Sequence, residues 1–275
     1  MKKSRLWEEV ASSITVIIPV FNSIKTIEKT IKSLDFLREN GVNILISDNS
    51  STDGTKKILE KYEKYKNIKV FYQERNIGAK SIQLLIENVK TEFLLPIGSD
   101  DYLVKYTSLP LTLKKIKENK NAVGCSFRSR FIYENFLVDD KTNVSLCGSD
   151  SKKFRKFFMY IGANSRYYGI IKTDLFKKYY PNNFYFGFDV SLSAKILSHG
   201  DWLYDKNIHL HRERGGSANP FVINKAHGFL FIPPFRYFRE CIDACPEPRL
   251  SVKVAWLYYY FKIIIGPIRH IVLGK

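Results

Sequence analysis

The sequence predicts an α/β protein, a Rossmann-like α/β/α sandwich with a mostly parallel central sheet and a C-terminal helical extension. Short apolar segments rich in β-branched residues alternate with amphipathic segments of about ten to fifteen residues, the pattern of βαβ units. Polar residues directly follow three of the apolar segments. With 275 residues, 45% of them apolar, the chain can bury a core or two.

The first hundred residues contain the most regular alternation. Strands are predicted at Ile14–Phe21, Val42–Ile46, Ile68–Tyr72 and Phe93–Ile97. Between them, apolar residues at helical spacing predict helices over Ser23–Leu37, Asp53–Tyr65 and Asn76–Val89. Strands that alternate with helices in this way form a parallel sheet with right-handed crossovers.

The alternation is less regular after Asp101. We expect helices at Thr107–Asn119, Ser151–Tyr160 and Val190–Ser198, and strands at Ala122–Phe127, Phe131–Val138 and Tyr167–Ile171. The stretch His209–Ser217 is expected to be a polar loop.

The composition is strongly basic. There are 44 Lys and Arg against 27 Asp and Glu, a formal net charge of +17, which favours nucleic acid, a membrane surface or phosphorylated ligands as partners. The alternative is that the lysines only keep the surface soluble. The four cysteines have no zinc-site spacing, and no signal peptide or membrane-spanning stretch is recognisable, so a reduced, cytoplasmic protein is expected.

The stretch Phe93–Tyr102 carries the most informative chemistry. An apolar strand ends at Gly98 and is followed by Ser99, Asp100 and Asp101. Ligands of open α/β sheets bind outside the carboxyl ends of the strands, and adjacent carboxylates there suit Mn²⁺ or Mg²⁺. The alternative is an ordinary polar turn, in which aspartate is common.

Four motifs in order resemble one family. They are V-I-I-P-V-F-N from Val16, D-N-S-S-T-D-G-T from Asp48, N-I-G from Asn76 and G-S-D-D from Gly98. The chain is similar to family 2 glycosyltransferases of the GT-A fold, over about residues 14–217, and among them to bacterial enzymes of surface-polysaccharide synthesis. The resemblance implies a divalent metal cofactor, Mn²⁺ or Mg²⁺, and a nucleoside-diphosphate sugar donor.

The resemblance also implies roles for residues on the donor side. Phe21 and Asp48 would hold the nucleotide base, since an aromatic face can stack on a base and a carboxylate can accept from a ring N–H. The other implied donor-binding residues are Pro19, Ser99, Asn76 and Gly78. Core packing of Phe21, a turn cap at Asp48 and a helix start at Asn76 are the alternatives.

Asp100 falls on the metal-binding aspartate of the family's D-x-D motif. Gly98 replaces the first aspartate of that motif, which puts metal affinity in question. Asp101 can compensate as a second metal ligand or can only cap the next helix. His211 is a further implied metal ligand, and Arg212 and Arg214 fall in the loop that closes over the donor diphosphate in the family.

The resemblance assigns Asp189 as the catalytic base that takes a proton from the acceptor hydroxyl. In the family a Glu-Asp pair often precedes a helix, whereas here Gly187-Phe188-Asp189 occupies that place. The alternative is that Asp189 is the N-cap of the helix at Val190–Ser198.

Two domains are expected. Residues 1–225 would form the catalytic domain, with a nucleotide-sugar half at about 14–101 and an acceptor half at about 102–225. Residues 226–275 would form a basic and aromatic helical extension. From Arg249 to Lys275 there are five Lys or Arg and no acidic residue, which predicts either contact with an anionic membrane surface or a helix packed on the catalytic domain.

Taken together, the residues and the resemblance predict an inverting transferase. It would move a sugar from a nucleoside-diphosphate sugar, with a UDP-sugar favoured, to a hydroxyl of a glycan or lipid-linked glycan. The location would be the cytoplasm, at the inner face of the bacterial cell membrane. The alternatives are a non-catalytic basic module that binds nucleic acid or another polyanion, for which no recognition-helix signature is present, and an inactive relative. The expectation is that nucleic acid is not a partner.

Overall fold

The computed structural model describes residues 5–78, 80–133, 136–140, 143–161, 164–182, 185, 187–213 and 235–260. The first half contains four strands and five helices. In chain order these are α1 (Arg5–Ser13), β1 (Ile14–Val20), α2 (Ile27–Ser33), α3 (Asp35–Glu39), β2 (Asn43–Asp48), α4 (Thr55–Glu60), β3 (Ile68–Tyr72), α5 (Lys80–Asn88) and β4 (Phe93–Pro96).

The second half mixes strands and helices in a less regular order. It contains β5 (Asp101–Lys105), α6 (Leu109–Glu118), β6 (Ala122–Tyr133), β7 (Phe136–Asp139), α7 (Asp150–Met159), a 3-10 helix (Ser165–Tyr168), β8 (Ile170–Lys172), α8 (Thr173–Tyr179), α9 (Phe188–Leu197), β9 (Asp201–Glu213) and α10 (Phe235–Asp243). Residues 250–260 are also helical.

The strands form one sheet in the order β3-β2-β1-β4-β8-β6-β9-β5, with β7 paired to β6. The first four strands are parallel, as the βαβ pattern predicts. Beyond β4 the pairing is mixed, because β8 is antiparallel to both its neighbours whereas β9 runs parallel to β6 and antiparallel to β5. The carboxyl ends of β1, β2 and β4 therefore lie at one edge of the sheet.

Each face of the sheet packs against its own hydrophobic core. Alternate side chains of β1 point to opposite faces, so Ile17 belongs to one core while Val16 and Ile18 belong to the other. Helices α5, α7, α8 and α9 cover the first face, and α1, α2, α4 and α6 cover the second. This arrangement confirms the predicted α/β/α fold.

Three predicted elements differ from the structure. The helix expected up to Leu37 is divided at Leu34, which caps both α2 and α3. The two strands expected between Ala122 and Val138 are β6 and β7, and β6 runs through to Tyr133. Residues 209–213, predicted as loop, belong to β9, because β5 and β6 hydrogen-bond to this polar segment from both sides.

The described part of the C-terminal extension packs on the core that α9 helps to form. Helix α10 lies against α9, where Glu240 Oε2 accepts hydrogen bonds from Tyr185 Oη at 2.5 Å and Lys195 Nζ at 2.6 Å. Cys241 and Val252 are buried in the same core as α9. The boundary near residue 225 lies outside the described residues and stays a prediction. Within the described part of the chain, no helix is long and apolar enough to cross a membrane.

Candidate functional site

The predicted site residues of the first half gather where β1, β2 and β4 end. Asn49, one residue past β2, donates its backbone N–H to the carbonyl of Val20 at 2.8 Å. Pro19 pairs with Ser47 of β2 and lies beyond Ile17, the last residue of β1 that pairs with β4. A proline is tolerated there because no ladder hydrogen bond toward β4 is needed.

Phe21 and Asp48 take different positions at this edge. Phe21 is 47% exposed, so packing in the core, the alternative for this residue, is wrong, and its ring is available for a ligand. Asp48 is 2% exposed, and its Oδ1 accepts hydrogen bonds from the backbone N–H of Ser51 at 3.2 Å and from the Ser51 hydroxyl. The carboxylate thus shapes the loop that follows β2.

Asn76 and Gly78 hold their loop against the end of β2. The Asn49 amide donates to Asn76 Oδ1 at 2.7 Å, and Asn49 Oδ1 accepts from the backbone N–H of Ile77 at 2.8 Å. Gly78, at φ 56°, donates its N–H to the same Asn76 oxygen. The N-I-G motif therefore fixes the loop before α5 through its own hydrogen bonds, and this role does not exclude contacts with a ligand.

The loop after β4 is fixed by hydroxyl groups. The carbonyl of Ser99 accepts from Thr26 Oγ1 at 2.9 Å and Thr30 Oγ1 at 3.0 Å, while the Ser99 hydroxyl lies 2.7 Å from that of Ser23. The first turn of α2 thereby holds the segment that presents Asp100.

Asp100 and Asp101 fold back over Gly98. A Cβ at residue 98 would lie 2.9 Å from Asp100 Oδ1 and 2.9 Å from Asp101 Oδ2, so glycine leaves the space that both carboxylates use. Asp101 is the first residue of β5 and is 3% exposed, which shows that the predicted helix-cap role is wrong. Its Oδ2 lies 3.6 Å from Arg212 Nε on β9.

Burial disfavours the ionised form of both carboxylates. Burial raises the pKa of Asp101 to about 7, with Arg212 opposing the shift and Asp100 adding to it. Burial also raises the pKa of Asp100, again opposed by Arg212. A further cation bound beside them would favour their ionised forms.

The two carboxylates fit a divalent metal ion only in part. Among the described residues, no three His, Cys, Asp or Glu side chains come together to form a metal site. Mn²⁺ and Mg²⁺ accept oxygen ligands from carboxylates and phosphates together. Asp100, the less buried of the pair, with Asp101 beside it, would hold such an ion when a diphosphate supplies the remaining ligands.

Asp189 lies in the first turn of α9, which begins after Gly187 at φ 73°. Because Gly187 is the N-cap, the alternative role of Asp189 as N-cap is wrong. The amide of Asn164 donates to Asp189 Oδ2 at 3.0 Å and to the Ser193 hydroxyl at 3.2 Å. Burial raises the pKa of Asp189, and the hydrogen bond from Asn164 partly opposes the shift.

Arg212 connects the parts of the site. Its positive charge opposes the rise in pKa that burial causes at Asp100, Asp101 and Asp189. Its guanidinium lies 4.1 Å from the centre of the Tyr168 ring, a cation–π contact. It also donates to the Ser165 hydroxyl at 3.1 Å, which in turn donates to Asp140. The charge of one arginine thus acts on the two carboxylates after β4 and on the carboxylate of α9.

The structure adds residues that the sequence did not indicate: Asn164, Ser165, Tyr168 and Asp140. The buried asparagine at 1% exposure has φ 46°, a left-handed conformation that asparagine tolerates. None of these residues belongs to a motif, and the 3-10 helix that carries two of them, Ser165 and Tyr168, was predicted in part as a strand.

His211 is not brought to the aspartate pair as a third metal ligand. Successive strand residues point to opposite faces, and its neighbour Arg212 makes the contact with Asp101. The His211 ring lies 5.5 Å from the Tyr102 ring, and burial, with nearby cations such as Arg130, lowers its pKa. Arg214 lies outside the described residues.

Comparison with known proteins gives several relatives. Over 98 residues the chain is 37% identical to the poly(ribitol-phosphate) beta-N-acetylglucosaminyltransferase TarS of Staphylococcus aureus, a match that covers 34% of this chain and 17% of TarS. It is 23% identical over 210 residues to the GalNAc(5)-diNAcBac-PP-undecaprenol beta-1,3-glucosyltransferase of Campylobacter jejuni, covering 72% of this chain and 64% of that protein. The chain thus matches less than two thirds of the length of these two relatives.

Solved structures show the same fold. The structure of residues 1–349 of S. aureus TarS in complex with UDP-GlcNAc superimposes with a TM-score of 0.67 at 20% identity, covering 91% of this chain and 73% of that one. The complex with UDP gives a TM-score of 0.65 at 19% identity, covering 94% and 71%. Residues 15–195 match the model of the family described as glycosyl transferase family 2. The chain therefore belongs to glycosyl transferase family 2, with the GT-A fold.

Proposed function

We propose that this protein transfers a sugar, with inversion at the anomeric carbon, from a UDP-sugar to a hydroxyl of a glycan or lipid-linked glycan. The observation that carries the proposal is Arg212, whose Nε lies 3.6 Å from Asp101 Oδ2 after β4 and whose positive charge also acts on the buried carboxylate of Asp189 at the start of α9. This supports Asp189 as the proton acceptor and Arg212 as a group that would contact the donor diphosphate.

The donor end uses the edge formed by β1, β2 and β4. The exposed ring of Phe21 stacks on the base, while Asp48 and Asn76 shape the loops on either side of it. Two TarS structures contain UDP or UDP-GlcNAc, which supports a uridine nucleotide here. Structures with Mn²⁺ in this fold, such as that of GalNAc-T7, support a divalent ion at Asp100.

The chemical step is a displacement at the anomeric carbon. Asp189 accepts the proton of the acceptor hydroxyl as the new bond from oxygen to the anomeric carbon forms. The bond from that carbon to the diphosphate breaks, and its electrons leave with UDP. Arg212 stabilises the negative charge that develops there. A metal ion at Asp100, when bound, supplies further positive charge to the leaving group.

The acceptor class is drawn from the relatives. TarS is described as acting on poly(ribitol-phosphate) and the C. jejuni enzyme on an undecaprenol-linked glycan, so a surface glycan or a lipid-linked precursor is the acceptor we propose. The cytoplasmic location and the expected lack of nucleic-acid binding stay predictions.

A thermal-shift panel tests the donor half of the proposal. UDP-, GDP-, CMP- and dTDP-sugars are compared with and without Mn²⁺, because binding to the native state raises stability by RT ln(1 + [L]/Kd). We expect UDP-sugars to raise the melting temperature most, and Phe21→Ala to weaken that shift without lowering the melting temperature of the free protein. A shift with GDP-sugars alone would contradict the choice of donor.

A further inference from the structure

The helical segment 250–260 has two apolar faces. One is buried in the core with α9 and consists of Val252, Ala255 and Tyr259, at 0%, 6% and 8% exposure. The other points to solvent and consists of Leu250, Val254, Leu257 and Tyr258, at 77%, 56%, 42% and 59% exposure. We refer to these four residues as the outer stripe.

The outer stripe is contiguous. At about 100° of rotation per helical residue, its four side chains lie within an arc of about 100°, and its centre is roughly 150° from that of the buried face. Single exposed apolar residues are normal on a protein surface, but a contiguous apolar strip marks a contact surface. The inner face anchors the helix on the core, whereas the four stripe residues are between 42% and 77% exposed and so present a surface for a second contact.

The charges beside the outer stripe indicate what kind of partner it contacts. Arg249 and Lys253 are exposed, and the stretch Arg249–Tyr260 contains no aspartate or glutamate. Trp256 and Tyr260 stack with ring centres 6.1 Å apart and pack partly against the core, between the stripe and the buried face. An apolar strip that includes the amphipathic ring of Tyr258 and is bordered by cations suits the boundary between lipid headgroups and acyl chains.

We propose that the outer stripe docks the protein on an anionic lipid bilayer, with its apolar side chains at the acyl boundary and Lys253 at the headgroup phosphates. Since the inner face belongs to the catalytic core, docking fixes the orientation of the whole core relative to the bilayer. One such contact gives reversible binding, because the buried apolar area is small. The inference is independent of the donor and of the catalytic base.

Vesicle co-sedimentation of the full chain tests the proposal. Phosphatidylcholine vesicles with and without phosphatidylglycerol are compared at low and moderate salt. We expect binding to the anionic vesicles only, weaker as salt rises. Charging the stripe with Val254→Glu and Leu257→Glu together should reduce the bound fraction at least about tenfold. Lys253→Gln should give a smaller loss and a flatter salt dependence.

Val104→Glu with Leu111→Glu is the matched control, since Val104 on β5 and Leu111 on α6 are 50% and 58% exposed and this double variant makes the same two changes outside the stripe. It should bind vesicles as the wild type does, and all variants should keep the wild-type melting temperature. Equal binding of the stripe variant and wild type, or no binding by wild type, would overturn the proposal. Loss of a wild-type dimer in the stripe variant, without vesicle binding by either, would show instead that the stripe contacts a second copy.

Discussion

Asn164 is expected to tune the catalytic base, and removing its amide tests this directly. The amide donates to Asp189 Oδ2 at 3.0 Å from a residue held at φ 46°. Asn164→Gly deletes the amide and suits that backbone conformation, because glycine adopts positive φ without steric cost. Asn164→Ala deletes the same group but adds left-handed strain of about 1–2 kcal/mol.

The size of the effect follows from the hydrogen bond. A hydrogen bond to a charged group contributes about 1.5–3 kcal/mol, and one pKa unit corresponds to about 1.4 kcal/mol. Burial already raises the pKa of Asp189, and Asn164 opposes that shift. Without the amide, the pKa of Asp189 should therefore rise further. The base is active only when ionised, so activity should be lost at a higher pH than in the wild type as the solution is acidified.

The assay is the pH profile of kcat/KM, whose acid limb reports the base of the free enzyme. Asn22→Gly is the matched control, because Asn22 also has a left-handed backbone, at φ 47°, but bonds to Thr52 in the donor loop. It should change the donor KM and leave the acid limb in place. An unmoved acid limb in folded Asn164→Gly protein would refute the assignment of Asn164 as the residue that positions and tunes Asp189.

Two further predictions concern stability and the metal site. Glu240→Ala should lower the free energy of unfolding in urea by about 1–3 kcal/mol, because it removes the partner of Lys195 between α9 and α10. Asp243→Ala breaks an ion pair with Arg239 whose side chains are 84% (Arg239) and 64% (Asp243) exposed, so it should cost under about 0.5 kcal/mol. Equal losses in the two variants would contradict the packing of α10 on α9. Gly98→Asp restores the carboxylate that the family has at this position, yet both Gly98→Asp and Gly98→Ala should weaken Mn²⁺-dependent binding of the UDP-sugar. The reason is that a Cβ at residue 98 would lie 2.9 Å from an oxygen of Asp100 and 2.9 Å from an oxygen of Asp101. Tighter binding by the Asp variant would show that those two oxygens move aside.

The parallel half of the fold follows from the sequence because its inner strands β1, β2 and β4 are buried almost throughout. Such strands are continuous apolar runs bounded by polar residues, and the partly exposed edge strand β3 is also observed at Ile68–Tyr72, as predicted. Parallel order then places strand ends at one edge, so the proximity of the Asp48 and Asp100 loops is predictable without coordinates. The same reasoning explains why the family motifs of this half are so close to strand ends.

The mixed half could not be derived in the same way. Strand β9 is polar, and it is a strand because β5 and β6 pair with it from distant parts of the sequence. A local signal for this strand is the alternation of buried Ile208 and Leu210 with polar neighbours such as His209. The charged residues of His209–Ser217 and the glycines at 215 and 216 favoured a loop instead.

The acceptor side of the site depends on contacts that no local pattern encodes. Asn164 and Asp189 are 25 residues apart, and Arg212 and Ser165 are 47 apart. The resemblance supplied Asp189 and Arg212, but the groups that orient them come from a short 3-10 helix with no motif. Such positioning residues become visible only when the tertiary contacts are known.

The most direct test of the central claim compares wild type with Asp189→Asn in a sugar-transfer assay, with the UDP-sugar that the thermal-shift panel identifies and a mixture of glycan acceptors. The amide has nearly the shape of the carboxylate but cannot take the hydroxyl proton. We expect unchanged melting temperature and UDP-sugar affinity, with transfer lower by roughly 10²–10⁴. Transfer at the wild-type rate in the Asn variant would contradict the account, and no transfer by wild type with any acceptor would favour an inactive relative.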